Sequence, residues 1–335
     1  MRQGRAANGY YSGPVSDHFD GRLFFNPDGE VPSGLLNLLR WQLGGGKTAW
    51  PQAWPSPFPQ AVPERRITGD SLRVTMVGHA SLLIQVAGLN ILTDPVFSAR
   101  ASPFTFAGPK RVNPPGIRPE DLPPVDIVLV THNHYDHLDI ATLKTIVARD
   151  NSAVITPLGN DAIILANVPR APVTMMDWGG TAAAENGVTI HCEPCHHWSA
   201  RGLGDRRKAL WSAFVIETPA GKIYHIGDTG FHQGINYRAA QEKHGAFRLA
   251  NLPFGAYEPR WFMKAQHQNP DEAVEGMLAC NAAHVAGHHW GTFQLTNEGI
   301  GDPIKALEAS LDARGVARER FRPLRPGEVF DVPLA

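Results

Sequence analysis

The chain has 335 residues, 43% of them hydrophobic, enough to bury one large core or two modest ones. Its 31 Lys and Arg residues balance 32 Asp and Glu, for a formal net charge of −1, which argues against the basic footprint of a nucleic-acid partner. Three cysteines (Cys192, Cys195, Cys280) make no disulfide framework, and no apolar run has signal-peptide or membrane-spanning length, so the expected setting is the cytoplasm, with any membrane association peripheral.

Residues 1–70 are rich in Gly, Pro and Trp and read as an irregular extension packed on a domain over 71–335. Within it, Ser33 is placed to cap a helix carrying Leu35, Leu36, Leu38, Leu39, Trp41 and Leu43, apolar around much of its circumference. Such a helix packs on the main domain, lines a lipid groove, touches a membrane or makes a homodimer contact. The stretch Gly44-Gly45-Gly46-Lys47-Thr48 is not a phosphate loop: Trp41 stands where the first glycine belongs, and no strand precedes it.

Strand-like runs follow over 72–77, 81–86 and 90–93, then a proline-rich loop over 102–124, long enough to wall a site. The apolar run Asp126–Val130 predicts a buried strand, and the spacing of Ile140, Leu143, Ile146 and Val147 predicts a helix. On the turn between them stand His132, His134, Asp136 and His137. Such a turn can aim His132 and His134 at one metal and Asp136 and His137 at a second, and neutral imidazole and carboxylate are ligands that zinc prefers. Further strands are predicted over 153–156, 173–176, 188–192, 211–217 and 222–226, with a helix around 161–166. Asn269 is expected to cap a helix running from Pro270 to Ala279, and Asp302 to cap a last one that stops at Gly315. Polar clusters just beyond strand ends suggest a layered α/β architecture.

Three later clusters could complete a metal site. His196 and His197 follow one strand, and His288 and His289 follow the apolar run 283–286; alternation lets one of each pair face a given metal. Asp228 lies in Gly227-Asp228-Thr229-Gly230, whose glycines allow the sharp turn that would set a carboxylate between two cations. Cys192 and Cys195 have redox or zinc-motif spacing but no second pair, and read as structural.

Taken in order, His132-x-His134-x-Asp136-His137, a lone His, Gly-Asp-Thr-Gly and a last His resemble the metallo-β-lactamase superfamily. The closer likeness is to the branch containing N-acyl-phosphatidylethanolamine-hydrolysing phospholipase D and its bacterial relatives. It is carried by Ser16-Asp17-His18-Phe19-Asp20-Gly21, Gly78-His79-Ala80-Ser81, Thr93-Asp94-Pro95, His197-Trp198-Ser199-Ala200-Arg201, Pro259-Arg260-Trp261-Phe262-Met263, His267-x-Asn269-Pro270-x-Glu272-Ala273 and His289-Trp290-Gly291-Thr292-Phe293. The resemblance implies a four-layer αββα sandwich and two Zn2+ per chain. It implies His132, His134 and His197 on one zinc, Asp136, His137 and His289 on the other, and Asp228 bridging. It selects His197 over His196 and His289 over His288, leaving His191, His196, His225, His232, His244, His284 and His288 structural or solvent-facing. His79 and Asp94 would orient ligands, and His267 would act on substrate.

The implied chemistry is hydrolysis by a metal-bridging hydroxide, with Asp136 orienting it and His267 donating a proton or holding a phosphate oxygen. Asp228 stands where zinc β-lactamases usually place Cys, which disfavours antibiotic hydrolysis. His134 stands where diiron relatives place Glu, which favours zinc. The implied substrate is the phosphodiester of an N-acylated phospholipid, cleaved to a phosphatidic acid and an N-acylethanolamine. Helix 35–43 and the aromatic loop Trp50–Phe58 would accept acyl chains. A lactonase or other ester hydrolase on the same metals is the second enzymatic reading, and a non-catalytic metal sensor is the reading from another class.

Overall fold

In the computed structural model, which describes residues 8–28 and 31–334, two seven-stranded sheets stack face to face. Residues 1–7 and 29–30 of the predicted extension, and residue 335, lie outside the described residues. The first sheet contains β1 (Leu72–Gly78), β2 (Ser81–Val86), β3 (Leu89–Thr93), β4 (Ile127–Leu129), β5 (Ala153–Pro157) and β6 (Val173–Met176). The second contains β7 (Thr181–Ala183), β8 (Thr189–Glu193), β9 (Ala213–Thr218), β10 (Gly221–His225), β11 (Phe247–Pro253), β12 (Ala282–His288) and β13 (Phe321–Pro323). The last strand, β14 (Val329–Asp331), returns to pair with β1.

Helices cover the outer faces. On the first sheet lie α2 (Ile140–Asp150) and α3 (Asn160–Asn167), whose Leu143, Ile146 and Ile164 pack on Leu83, Leu92 and Val128. On the second lie α4 (Ile235–His244), α6 (Pro270–Ala279) and α7 (Asp302–Ala313), whose Tyr237, Met277 and Leu307 pack on Tyr224, Ala250 and Val285. Between the sheets, Ile84, Ile91 and Leu129 meet Ile190, Phe214 and Leu249. Each such side chain contributes roughly 1.5–3 kcal/mol by leaving water. The result is the αββα sandwich.

Strand direction places the site. β1 and β3 run antiparallel to β2, and β3, β4 and β5 run parallel. In the other sheet β8 and β10 run antiparallel to β9, and β10, β11 and β12 run parallel. The loops leaving β1, β3 and β4 therefore share one edge, as do those leaving β8, β10, β11 and β12. Open sheets place ligands beyond such carboxyl ends.

Local chemistry fixes the helix starts. Asp139 caps α2 by accepting a hydrogen bond from the Ala141 amide, and Asn269 with Glu272 forms a reciprocal capping box on α6. Two expected caps differ. Gly34, not Ser33, precedes α1 (Leu35–Leu43), without a side-chain cap. Gly301, not Asp302, precedes α7; Asp302 instead accepts from the Gly299 amide. The strand expected from Trp211 begins at Ala213.

Helix α1 is anchored on one side. Trp41 stacks on Phe262 of the short α5 (Arg260–Met263) at 5.1 Å and donates from Nε1 to Asn297. Leu36 and Leu43 are 82% and 87% exposed. Among the described residues no helix is long and apolar enough to cross a membrane.

Candidate metal centre

Seven polar side chains arrive at the shared edge from four loops. Beyond β4, His132, His134, Asp136 and His137 wrap the turn before α2; beyond β8, β10 and β12 come His197, Asp228 and His289. Sharp backbone geometry makes this possible. Gly227 has φ +65°, and a Cβ there would lie 2.8 Å from the Thr131 side chain, so only glycine carries the chain past the histidine turn. His289 itself sits at φ +63°, a conformation that costs a non-glycine residue about 1 kcal/mol or more.

The side chains fall into overlapping groups. Ligand-type atoms of His132, His134 and His197 lie within 4.8 Å of one another, and so do those of His79, Asp136, His137 and His289. Asp228 lies between: its Oδ2 is 3.2 Å from His137 Nε2, 3.0 Å from His289 Nε2 and 3.7 Å from His197 Nε2. His267, reached from β11 through α5, sets Nδ1 3.8 Å from the same oxygen. The members of the two adjacent pairs point apart: His196 packs on His232 and His288 on His225, while His197 and His289 face the cluster.

A second layer orients this first one. His137 Nδ1 donates to Asp94 at 2.7 Å, and Asp94 also accepts from the Thr131 hydroxyl and amide. His197 Nδ1 lies 3.0 Å from the Gln266 carbonyl, and His132 Nδ1 lies 3.0 Å from Thr131 Oγ1. His79 Nε2 is 2.9 Å from Asp136 Oδ2. Arg260 pairs with Glu272 and donates to the His267 carbonyl, tying the His267 segment to the α6 cap.

Burial sets the protonation states. It holds His134 down to about 3 and His197 to about 4, and carries His132 well below the usual histidine value, so these three are neutral. Burial also pulls on His137 and His289, but nearby carboxylates win. Asp228 and Asp136 raise His137 well above its usual range and His289 to about 9. Burial opposes ionisation of Asp94, yet His137 and His225 hold it at about 2.

These residues fit a metal. His134 Nε2, His137 Nε2, His289 Nε2 and Asp228 Oδ1 are buried and find no hydrogen-bond partner, although His137 and His289 nitrogens lie close to Asp228. Three neutral imidazoles converge with His134 Nδ1 at 2.9 and 3.2 Å from His132 and His197 Nε2; such lone pairs repel unless a cation or shared proton lies among them. Orphaned buried groups of this kind call for a ligand. Cys192 and Cys195 take no part. Both are buried in the cores, and burial pushes their thiols up, which keeps them protonated and inert.

Comparison with known proteins agrees with this geometry. The family model described as the Beta-lactamase superfamily domain matches residues 89–290. The chain belongs to the metallo-β-lactamase superfamily. It is 36% identical to the N-acyl-phosphatidylethanolamine-hydrolyzing phospholipase D 1 of Caenorhabditis elegans, over 93% of each chain. It is 34% identical to the mitochondrial N-acyl-phosphatidylethanolamine-hydrolyzing phospholipase D of Saccharomyces cerevisiae, over 77% of this chain and 56% of that one. An isothiocyanate hydrolase from Delia radicum gut bacteria shares the fold with a TM-score of 0.61, at 20% identity over 78% of this chain and 99% of that one. The protein is a metal-dependent hydrolase of this superfamily.

Several contributors carried no sequence signal. Thr131, which braces Asp94 and His132, reads as an ordinary strand-end residue. Asn26 donates to the His197 carbonyl at 3.1 Å from 171 positions away. Trp54 packs beneath Gly291, with no pattern in its Trp-Pro surroundings to show it.

Proposed function

We propose that this hydrolase binds two zinc ions and acts as a phospholipase D on N-acyl phosphatidylethanolamine-like phospholipids. His132, His134 and His197 would hold one ion, Asp136, His137 and His289 the other, with Asp228 between them. When bound, such a pair lowers the pKa of water to near neutral and offsets charge developing on the attacked phosphoryl group. The observation that carries this reading is the meeting of His137, His289, His197 and His267 nitrogens around Asp228 Oδ2 without hydrogen-bond alignment for the first two.

The chain's own groups have distinct tasks. Asp136 accepts a hydrogen bond from the attacking water and holds it in line. His267 is 12% exposed at its side chain, so solvent reaches it at the edge of the cluster. Burial holds its pKa well below the usual value, so it presents a neutral imidazole. That suits a hydrogen bond to a phosphate oxygen better than delivery of a proton. Asp94 keeps His137 Nδ1 occupied, which leaves Nε2 to the metal.

The lipid part of the reading draws on the relatives named above and on the rim. Helix α1 exposes Leu36, Leu39 and Leu43, and Leu203 is exposed on the loop that follows His197. Arg206 of that loop donates to the Pro32 and Ser33 carbonyls, and Arg40 lies 4.9 Å over half-exposed Trp261, so basic groups flank the leucines. Beside α1 a groove of about 760 Å3 is lined by Gln42, Lys47, Trp50 and Lys110. A bilayer surface with acyl chains below and phosphates above matches this arrangement. In this reading residues 71–335 form the hydrolase domain, residues 1–70 pack on it as an extension, and a cytoplasmic protein meets the membrane peripherally.

The test is an assay of zinc-loaded protein on N-acyl phosphatidylethanolamine vesicles, bis-p-nitrophenyl phosphate and a lactone. Release of N-acylethanolamine and phosphatidic acid is expected. Turnover of the lactone alone would assign an ester hydrolase. Tight zinc binding without turnover of any substrate would assign a sensor.

A further inference from the structure

The turn that carries His289 is left-handed at two places, with strain at the histidine and none at the glycine. His289 has φ +63° and Gly291 has φ +65°. Its inner side is packed hard against the strand β11 exit, where a Cβ on Gly255 would lie 2.3 Å from the His289 carbonyl. Its outer side is covered by a strap from the N-terminal extension. The edge of the Trp54 indole abuts Gly291, so close that a Cβ there would meet ring atom Cζ3 at 2.8 Å. Trp54 also meets Trp290 edge to face at 5.7 Å.

The strap is itself fastened. The Trp54 amide donates to the Val112 carbonyl at 2.6 Å, the Val112 amide donates to the Thr292 carbonyl, and Asn113 Nδ2 donates to the Gly291 carbonyl at 2.6 Å. Arg325 closes the outside. Its Cζ lies 3.5 Å over Trp54, and its Nη2 donates to the Pro55 carbonyl at 3.0 Å. Among the described residues Arg325 forms no ion pair within 4 Å; Glu328 acts on its charge from farther off, and the guanidinium stacks on the indole (a cation–π contact).

We propose that Trp54, with Arg325 stacked on it, is a positioning residue for the His289 metal position. A left-handed histidine relaxes unless its neighbours over-determine it. The strap supplies that constraint from outside and holds His289 Nε2 toward Asp136 and Asp228. The Trp54 strap therefore completes one of the two metal positions, while the His132–His134–His197 position has its own contact from the extension, Asn26 to the His197 carbonyl. This rests on the ligand assignment proposed above.

The experiment compares zinc-loaded wild type with Trp54→Ala, Trp54→Phe, Arg325→Gln and His289→Ala. Metal per chain is counted after dialysis against a weak chelator, and release of each equivalent is timed. Trp54→Ala is expected to keep one equivalent at the wild-type rate and to release the other about 10- to 100-fold faster, the usual size for a lost supporting contact. Trp54→Phe, which restores an aromatic ring beside Gly291 and under Arg325, is expected to recover most of the loss. Arg325→Gln is expected to shift the same equivalent by less, and it decides the matter if Trp54→Ala does not fold. Equal loosening of both equivalents would mean a general structural role and would overturn the proposal. Wild-type release from Trp54→Ala and Arg325→Gln, with one equivalent lost from His289→Ala, would overturn it while leaving the ligand assignment standing. Two tightly held equivalents in His289→Ala would overturn the assignment itself.

Discussion

The metal centre and helix α1 are built on opposite terms. At the centre, seven side chains from distant loops are buried or partly buried and several are braced from behind; His137 leans on Asp94, which leans on Thr131. Helix α1 has one main attachment, Trp41, and turns Leu36, Leu39 and Leu43 to water. A buried polar network must be satisfied completely or it costs stability. An exposed apolar helix costs little until it finds a surface to cover it. The first arrangement fixes chemistry and tolerates no change, whereas the second is free to choose what it touches. In the function proposed above, reaction and substrate are governed by different parts of the chain.

Mutations can break this comparison at either end. The largest effect is expected at Asp94→Asn, which removes the charge behind His137 while keeping the shape. Affinity for one metal equivalent should fall about 10- to 100-fold in a chelator competition. Unchanged affinity would show that Asp94 does not support the centre. Next comes the triple change of Leu36, Leu39 and Leu43 to Ser. Each buried leucine is worth roughly 1.5–3 kcal/mol at most, and partial insertion yields less. Vesicle-bound substrate should show a KM raised several-fold, with turnover of bis-p-nitrophenyl phosphate unaltered. Equal loss on both substrates would mean that α1 supports the fold and not lipid access.

The smallest effect concerns how the extension is tied down. His18 sits between Asp17 and Asp177 at 2.6 and 2.7 Å. Burial opposes its charging, but the hydrogen bonds to Asp177 and Asp17 raise its pKa above the ordinary value. A raised pKa gives stability that is complete below the unfolded value of about 6.5 and is lost as pH climbs through the folded one. Amide exchange over residues 15–25, corrected for intrinsic rate, should therefore quicken from pH 6 to pH 9. His18→Gln should flatten that trend; an unchanged trend would assign it elsewhere.

Much of the sandwich was legible because its strands are apolar and its helices periodic. Strand β11 was not, since Arg248 and Asn251 interrupt its apolar run, although every residue of it is buried. Helix α4 escaped because it buries little more than Tyr237, Ala240 and His244. At the centre, motif spacing pointed to the histidine turn, but the choice within His196–His197 and His288–His289 required the family resemblance. The supports from Asn26, Thr131 and Trp54 are single contacts (a side-chain amide to a carbonyl, a hydroxyl between two site residues, a ring edge on a glycine), and such contacts leave no residue pattern to read.

Anomalous diffraction at the zinc edge, from crystals of the zinc-loaded protein, tests the account most directly. Two peaks are expected: one bonded to His132, His134 and His197, the other to Asp136, His137 and His289, with Asp228 touching both. A single peak, or zinc at Cys192 and Cys195, would contradict it.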